Sequence, residues 1–273
     1  MSRNDWSNDK LFDRLLGNKS SRTYWDNVRE LCRRPDKDVY KRCVALTKSA
    51  LPQERRAGID ILSQLGGEER PFEKETLALY LRILPKENDQ KVLESLLHAI
   101  GHNNKGLDNE GIGKLLPLTA HRYTGVRFAL TVAIKGIDKP AAIDILIALS
   151  ADKDIDIRNW ATYSLGAVIT RNNKVIREAL YARIHDQDED TRLEAIAGLA
   201  IRKDPRVREL IIKELQTGEA GTLLFEAMTA LGDPALLPAL KQLHKASVKA
   251  AGIHPEWLAK LAETIKALSA TNN

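Results

Sequence analysis

One apolar pair recurs through the chain at a nearly fixed interval, and few folds tolerate such a pattern. Leu65-Gly66, Ile100-Gly101, Ile134-Lys135, Leu165-Gly166, Leu199-Ala200 and Leu231-Gly232 follow one another at 35, 34, 31, 34 and 32 residues. Each closes a segment of helical length. The example at 152–166, DKDIDIRNWATYSLG, opens on an Asp-rich turn and runs through Ile157, Ala161 and Leu165. A helix this short cannot bury its own apolar face, so similar neighbours must cover it. Apolar residues fall at three-and-four spacing and no β-branched alternation is sustained, which predicts an all-α chain.

The registers agree beyond the anchor pair. Eight residues before it stand Ala57, Val92, Val126, Ile157, Thr191 and Leu223, and the next residue is Arg in three copies, Arg127, Arg158 and Arg192. Val126-Arg127, Ile157-Arg158, the Asp-containing turns and the Leu-Gly endings resemble HEAT repeats over residues 23–250. The chain is also similar to bacterial HEAT-repeat proteins that open with Trp-Asp-x-Val-Arg, here Trp25 to Arg29. The resemblance implies an α-α superhelix, a HEAT/ARM-like solenoid of six to seven helical hairpins with capping helices. The Arg is missing near Tyr40 and Leu224, which suits capping units.

The expected organisation is one domain over 1–273. Residues 1–22, with Trp6, Leu11, Phe12, Leu15 and Leu16, form an N-terminal cap; residues 23–250 form the repeats; residues 253–270, with Leu258, Leu261, Ile265 and Leu268, form a C-terminal capping helix. The first hairpin is expected as Thr23–Arg34 and Asp38–Ser49, turning at Pro35-Asp36. Asp138-Lys139-Pro140, Asp204-Pro205 and Asp233-Pro234 mark entries of first helices, since Asp caps free amides and Pro suits the first helical position. Gly101 to Gly113 reads as the longest irregular connection.

Neither a signal peptide nor a spanning helix is visible, and Cys32 and Cys43 form no metal or disulfide framework, so a cytoplasmic protein is expected. Residues 1–60 hold 14 Lys or Arg against 9 Asp or Glu, and the remainder holds 28 of each sign. The positive surplus therefore belongs to the N-terminal end.

Columns read across the repeats show which face is left over. Those through Leu165 and Ala161 are apolar throughout and are assigned to the core. The column at 160 reads Asp60, Ser95, Ala129, Trp160, Glu194 and Glu226; that at 163 reads Ser63, His98, Val132, Tyr163, Ala197 and Thr229. They lie about 60° apart on a helical wheel and make one polar, aromatic and acidic strip. In HEAT proteins the second helices line the concave side, so the resemblance places this strip in the groove. Trp160, Tyr163, His98, Asp60, Glu194 and Glu226 are the candidate partner-binding residues. The arginine column is assigned to hydrogen bonding between repeats, using the Asp-rich turns at 152–156 and 186–190.

Chemistry is harder to find. His98 and His102 share a helix face, but no third ligand stands at a zinc spacing, and no metal is expected. Deoxyhypusine hydroxylase requires His-Glu pairs, whereas the six His here precede Ala, Asn, Arg, Asp, Lys and Pro. Glycosylases built of HEAT-like repeats use a basic groove, and this strip carries Asp60, Glu194 and Glu226, which repel phosphate. No nucleotide fingerprint or nucleophile elbow is present, so no cofactor is expected. The reading is a non-catalytic scaffold, an adaptor, regulator or immunity-type inhibitor, that recognises a protein with a basic patch. Nucleic acid and membrane are disfavoured. The alternative is a HEAT-like DNA-binding protein or DNA glycosylase, or a HEAT-like lyase.

Overall fold

A computed structural model describes residues 3–18, 20–216, 220–250 and 252–270. Lys19, at the expected break after the first helix, residues 217–219 and Ala251 fall outside the described residues, as do both chain ends. No strand occurs among the described residues, and sixteen α-helices do. The fold is an α-α solenoid of the HEAT/ARM type. Contacts divide the chain into two compact units, Met1–Ala142 and Ile143–Asn273.

The first unit contains α1 (Asn8–Leu16), α2 (Ser21–Cys32), α3 (Lys37–Leu46), α4 (Pro52–Leu62), α5 (Glu73–Ile83), α6 (Gln90–His102), α7 (Asn109–Leu115) and α8 (Thr124–Ile134). α2 packs on α4, α4 on α6 and α6 on α8, which makes a layer of second helices; α1 packs on α2, α3 on α4 and α5 on α6. The hairpins are thus phased α1–α2 and α3–α4, one helix away from the expected first hairpin. The turn at Pro35-Asp36 leads from one repeat to the next, and Asp36 caps α3 by accepting from the amides of Asp38 and Val39. The span from Gly101 to Gly113 is not a long irregular loop either. α6 extends through His102, a single 3₁₀ turn follows, and Asp108 caps α7.

The second unit contains α10 (Ile155–Tyr163), α11 (Lys174–Tyr181), α12 (Glu189–Ile201), α13 (Arg208–Gln216), α14 (Thr222–Leu231), α15 (Leu237–Ser247) and α16 (Pro255–Ala270); α9 (Pro140–Leu149) spans the boundary between units. Here α10, α12, α14 and α16 form the second-helix layer, with α11 on α12 and α15 on α16. Asp154 and Asp188 cap α10 and α12, so the Asp-rich turns mark second helices; Asp204 and Asp233 cap 3₁₀ turns that lead into α13 and α15. The core column is sealed: Ile100, Ile134, Leu165 and Leu199 are fully buried.

The arginine column ties α4, α8, α10 and α12 to what surrounds them. Arg158 and Arg192 each stand four residues past their N-caps, Asp154 and Asp188. Arg158 donates to both carboxylate oxygens of Asp186, at 3.0 and 2.9 Å, and to the carbonyls of Asp152 and Lys153. Arg192 donates to Glu214 at 2.9 Å and to the carbonyl of Asp186. Arg127, four past the N-cap Tyr123, makes the same carbonyl contact to His121. A further member is Arg55, four past the N-cap Leu51, which forks onto Glu87 at 2.8 Å twice and reaches the carbonyls of Ser49 and Ala50.

Arg55 corrects the register of α4. Counted from the caps, Leu62 stands level with Ile100, Ile134, Leu165 and Leu199, while Leu65 lies in the turn beyond the helix. A shift of three keeps a residue near the same helix face, so a buried Leu65 imitates the true anchor.

Candidate functional site

With the register corrected, Asp60 stands level with His98 and Tyr163 rather than with Trp160. In the first unit α4 and α6 bring Asp60, Ser95 and His98 together, and α2 adds two aromatics, Tyr24 and Trp25. These helices frame an open cleft of about 570 Å³, lined among others by Trp25, Arg29, Cys32, Asp60, Ser95, His98 and His102.

Asp60 is the floor of the cleft and is 8% exposed. Its Oδ2 accepts from the Tyr24 hydroxyl at 2.6 Å and lies 3.4 Å from Nε of Arg56, which also donates to Ser95 Oγ at 3.2 Å. Burial pushes the Asp60 carboxyl above its ordinary value even though Tyr24, Arg56 and Ser95 oppose the shift. The Tyr24 phenol is raised by burial and by the Asp60 charge. Trp25 remains 40% exposed and meets Tyr24 edge to face, with centroids 5.2 Å apart.

Around them the groups are chemically quiet. Burial and the Asp60 charge push the Cys32 thiol up to about 12, and its Sγ donates to the Ile61 carbonyl, so it is a poor nucleophile. Burial lowers the His98 imidazole against the pull of Glu94 and Asp60; burial, Arg70 and His98 lower that of His102, which pairs with Gln64 at 3.4 Å. Among the described residues no three His, Cys, Asp or Glu are grouped to hold a metal.

The second unit holds the rest of the expected strip. Trp160 is 45% exposed on α10 and packs edge to face on Tyr163, with centroids 5.8 Å apart. Glu194 on α12 is half-buried, and burial together with Asp190 raises its carboxyl. Glu226 on α14 is exposed, with Lys260 3.9 Å away. Trp160 and Tyr163 thus form one contact pair, Asp60 and His98 line one cleft, and Glu194 and Glu226 sit on successive helices of the same layer.

Sequence reasoning missed Trp25, Tyr24 and Arg56. The columns began at α4, so α2 had no place in them. The signal was present as two adjacent aromatics two helices before Asp60.

No protein-family model matches the chain. It is 38% identical over 119 residues to protein YibA of Escherichia coli K12, an alignment covering 44% of this chain and 42% of that protein, so the matched part spans about two fifths of the relative's length. The X-ray structure of E. coli YibA superposes with a TM-score of 0.79 at 25% identity, over 97% of this chain and 93% of that one. An engineered protein shares the fold at a TM-score of 0.55 and 15% identity, covering 97% and 82%. Among the described residues no helix is long and apolar enough to cross a membrane. The recurrent anchors, the capped second helices, the arginine column and these likenesses agree on a HEAT-like repeat fold, similar to that of YibA.

Proposed function

We propose that the protein is a non-catalytic, cytoplasmic scaffold that recognises a protein partner through its second-helix layer, the concave face of the array, as an adaptor, regulator or immunity-type inhibitor. The repeats act as one domain over 1–273, with terminal units serving as caps. The observation that carries this reading is Trp160, a large aromatic 45% exposed on a second helix and braced by Tyr163. A braced aromatic offers contact area at small entropic cost, which is the property of an interface anchor. Glu194 and Glu226 on the neighbouring helices of that layer favour a partner with a basic patch, and Asp60 and His98, on second helices of the first unit, are assigned to partner binding as well. The half-buried thiol of Cys32, raised by desolvation and by the Asp60 charge, is a poor nucleophile, which favours a non-catalytic role.

The test is affinity capture with wild-type and Trp160→Ala baits, followed by calorimetry on the captured protein. Trp160→Ala is expected to weaken binding by about 2 kcal/mol or more, the scale of a hot spot, with a smaller loss of melting temperature. Equal affinity for both baits would overturn the reading.

A further inference from the structure

The charges around the α2–α4–α6 cleft fall into two groups. At its rim, Arg29, Arg33 and Lys91 are exposed, and each sits one turn from a carboxylate on its own helix: Arg29 on Asp26, Arg33 on Glu30 at 3.6 Å, and Lys91 on Glu94 at 2.7 Å. Asp26 and Glu30 are each shared with a second arginine, Arg3 at 3.2 Å and Arg34 at 2.8 Å. Glu69 is a further exposed carboxylate at the rim, and the two histidines are held toward their neutral forms.

Deeper in, Asp60 lines the cleft, and Arg56 lines a smaller adjoining pocket that shares Trp25, Asp60, Ser95 and His98 with it. The Arg56 guanidinium lies 5.6 Å from the Tyr24 ring centroid and 6.0 Å from that of Trp25, and the two rings stand at 88°. Its Nε faces the Asp60 carboxylate and the Ser95 hydroxyl. Two π faces, one carboxylate and one hydroxyl are what a planar cation requires, since rings attract it electrostatically and a carboxylate accepts its N–H groups. Arg56 fills this box imperfectly. It comes from the same helix one turn before Asp60, its rings lie at the outer limit of a cation–π contact, and its side chain is 38% exposed. A screened pair of this kind is weakly held. An anion in the same place would face the Asp60 carboxylate and the phenol oxygen of Tyr24.

We propose that this cleft is a subsite for an arginine side chain presented by a peptide partner, with Trp25 and Tyr24 as walls, Asp60 as counter-ion, and Arg56 as an internal occupant that the incoming guanidinium displaces. Arginine suits the box better than lysine, because a flat fork of donors stacks on a ring while bonding to a carboxylate, and an ammonium does not. This subsite adds a chemical identity to the protein-binding reading and rests on it.

The experiment is fluorescence anisotropy with a fluorescein-labelled peptide that carries arginines separated by Gly-Ser spacers, and with its lysine and glutamate counterparts. The arginine peptide is expected to bind best. Trp25→Ala and Asp60→Asn weaken it by about tenfold, as the loss of a desolvated anchor or counter-ion does. Arg56→Gln strengthens it by about threefold, because a competing occupant is gone. Burial already disfavours the Asp60 charge, so the isosteric Asp60→Asn keeps the fold; should it unfold, Trp25→Leu and Arg56→Gln decide the matter. Weaker arginine-peptide binding by Arg56→Gln, tighter glutamate-peptide binding by the wild type, no binding by either wild type or Arg56→Gln, or unchanged affinity in the Trp25 variants would each overturn the subsite. Trp160→Ala is measured alongside. If it alone has no effect, the larger surface fails and the cleft stands; if the Trp25, Asp60 and Arg56 variants alone have none, the reverse holds.

Discussion

Arg158 directs its donors into the fold: Nε and Nη2 to Asp186, and Nη1 to two carbonyls of its own turn. Its removal leaves a nearly buried carboxylate without its fork, so Arg158→Ala is expected to cost about 2–3 kcal/mol in urea unfolding. Arg158→Lys restores little, because a point charge cannot form both bonds. The sign of the pH dependence follows from Asp186. Burial alone would raise its carboxyl, but hydrogen bonds from Arg158 and the Asp188 amide, with attraction to Arg158 and Arg183, hold it below the ordinary value. Asp204, bonded by Arg206 and Arg177, is held at about 2. A depressed carboxyl stabilises fully above its unfolded value and loses that contribution as pH falls through its folded value. The difference between wild type and Arg158→Ala should therefore be constant above about pH 5 and shrink as the pH falls below the ordinary carboxylate range. A difference that grows on acidification would show the pair is not responsible. Trp160 and Tyr163 stood out at this scale as the large aromatics of the two columns that depart from the apolar rule. Asp60 was legible as an acid, but not as the floor of a cleft, since only contacts across three helices show Tyr24 and Arg56 around it.

Helices α10 and α12 approach through glycine. A Cβ on Gly198 would lie 2.5 Å from the Gly166 Cα, where α10 ends in a π turn over Ser164–Val168. The carbonyls freed there are collected by Arg202, buried at 4%, which donates to those of Leu165, Gly166 and Ile169. Gly198→Ala must push these backbones apart and is expected to cost about 1–3 kcal/mol, as overpacking does. Gly113 is its counterpart: it is exposed within α7 with nothing near its missing Cβ, so Gly113→Ala should stabilise by about 0.5–1 kcal/mol through helix propensity. Thermal melts of the two variants should move in opposite directions, and parallel shifts would contradict the packing. The helices themselves were readable from Asp caps and apolar periodicity. Their phase was not, because a Pro-Asp turn looks the same within a repeat as between repeats. Nor was the α4 register, because Leu62 and Leu65 share a face.

For the molecule as a whole, an array is only as stable as its least stable interface between neighbours. Leu165 and Leu199 are fully buried in the second unit's core. Leu165→Asp and Leu199→Asp should each cost about 4 kcal/mol or more and lower the melting temperature, and an unchanged melting point for both would contradict the solenoid core. The basic surplus of residues 1–60 is the molecule's strongest charge asymmetry. Arg55 directs one of these charges onto Glu87, outside the segment, and others, such as Arg34 on Glu30, are held in pairs within it. Duplex DNA should accordingly bind weakly and lose affinity steeply with salt. Submicromolar binding at physiological ionic strength, abolished by neutralising Arg33, Arg34, Lys41 and Arg42, would favour the nucleic-acid alternative. The arginine column has a different consequence. Arg55 reaches from its repeat to Glu87 in the next, and Arg158 to Asp186. The contact is head-to-tail: the α11–α12 unit carries a socket, Asp186, and a plug, Arg192, which bonds to Glu214. Such a chain can lengthen or shorten by whole repeats through unequal recombination, since a duplicated unit arrives with both halves of its own joint. Selection on repeat number can then proceed at such a joint without its redesign.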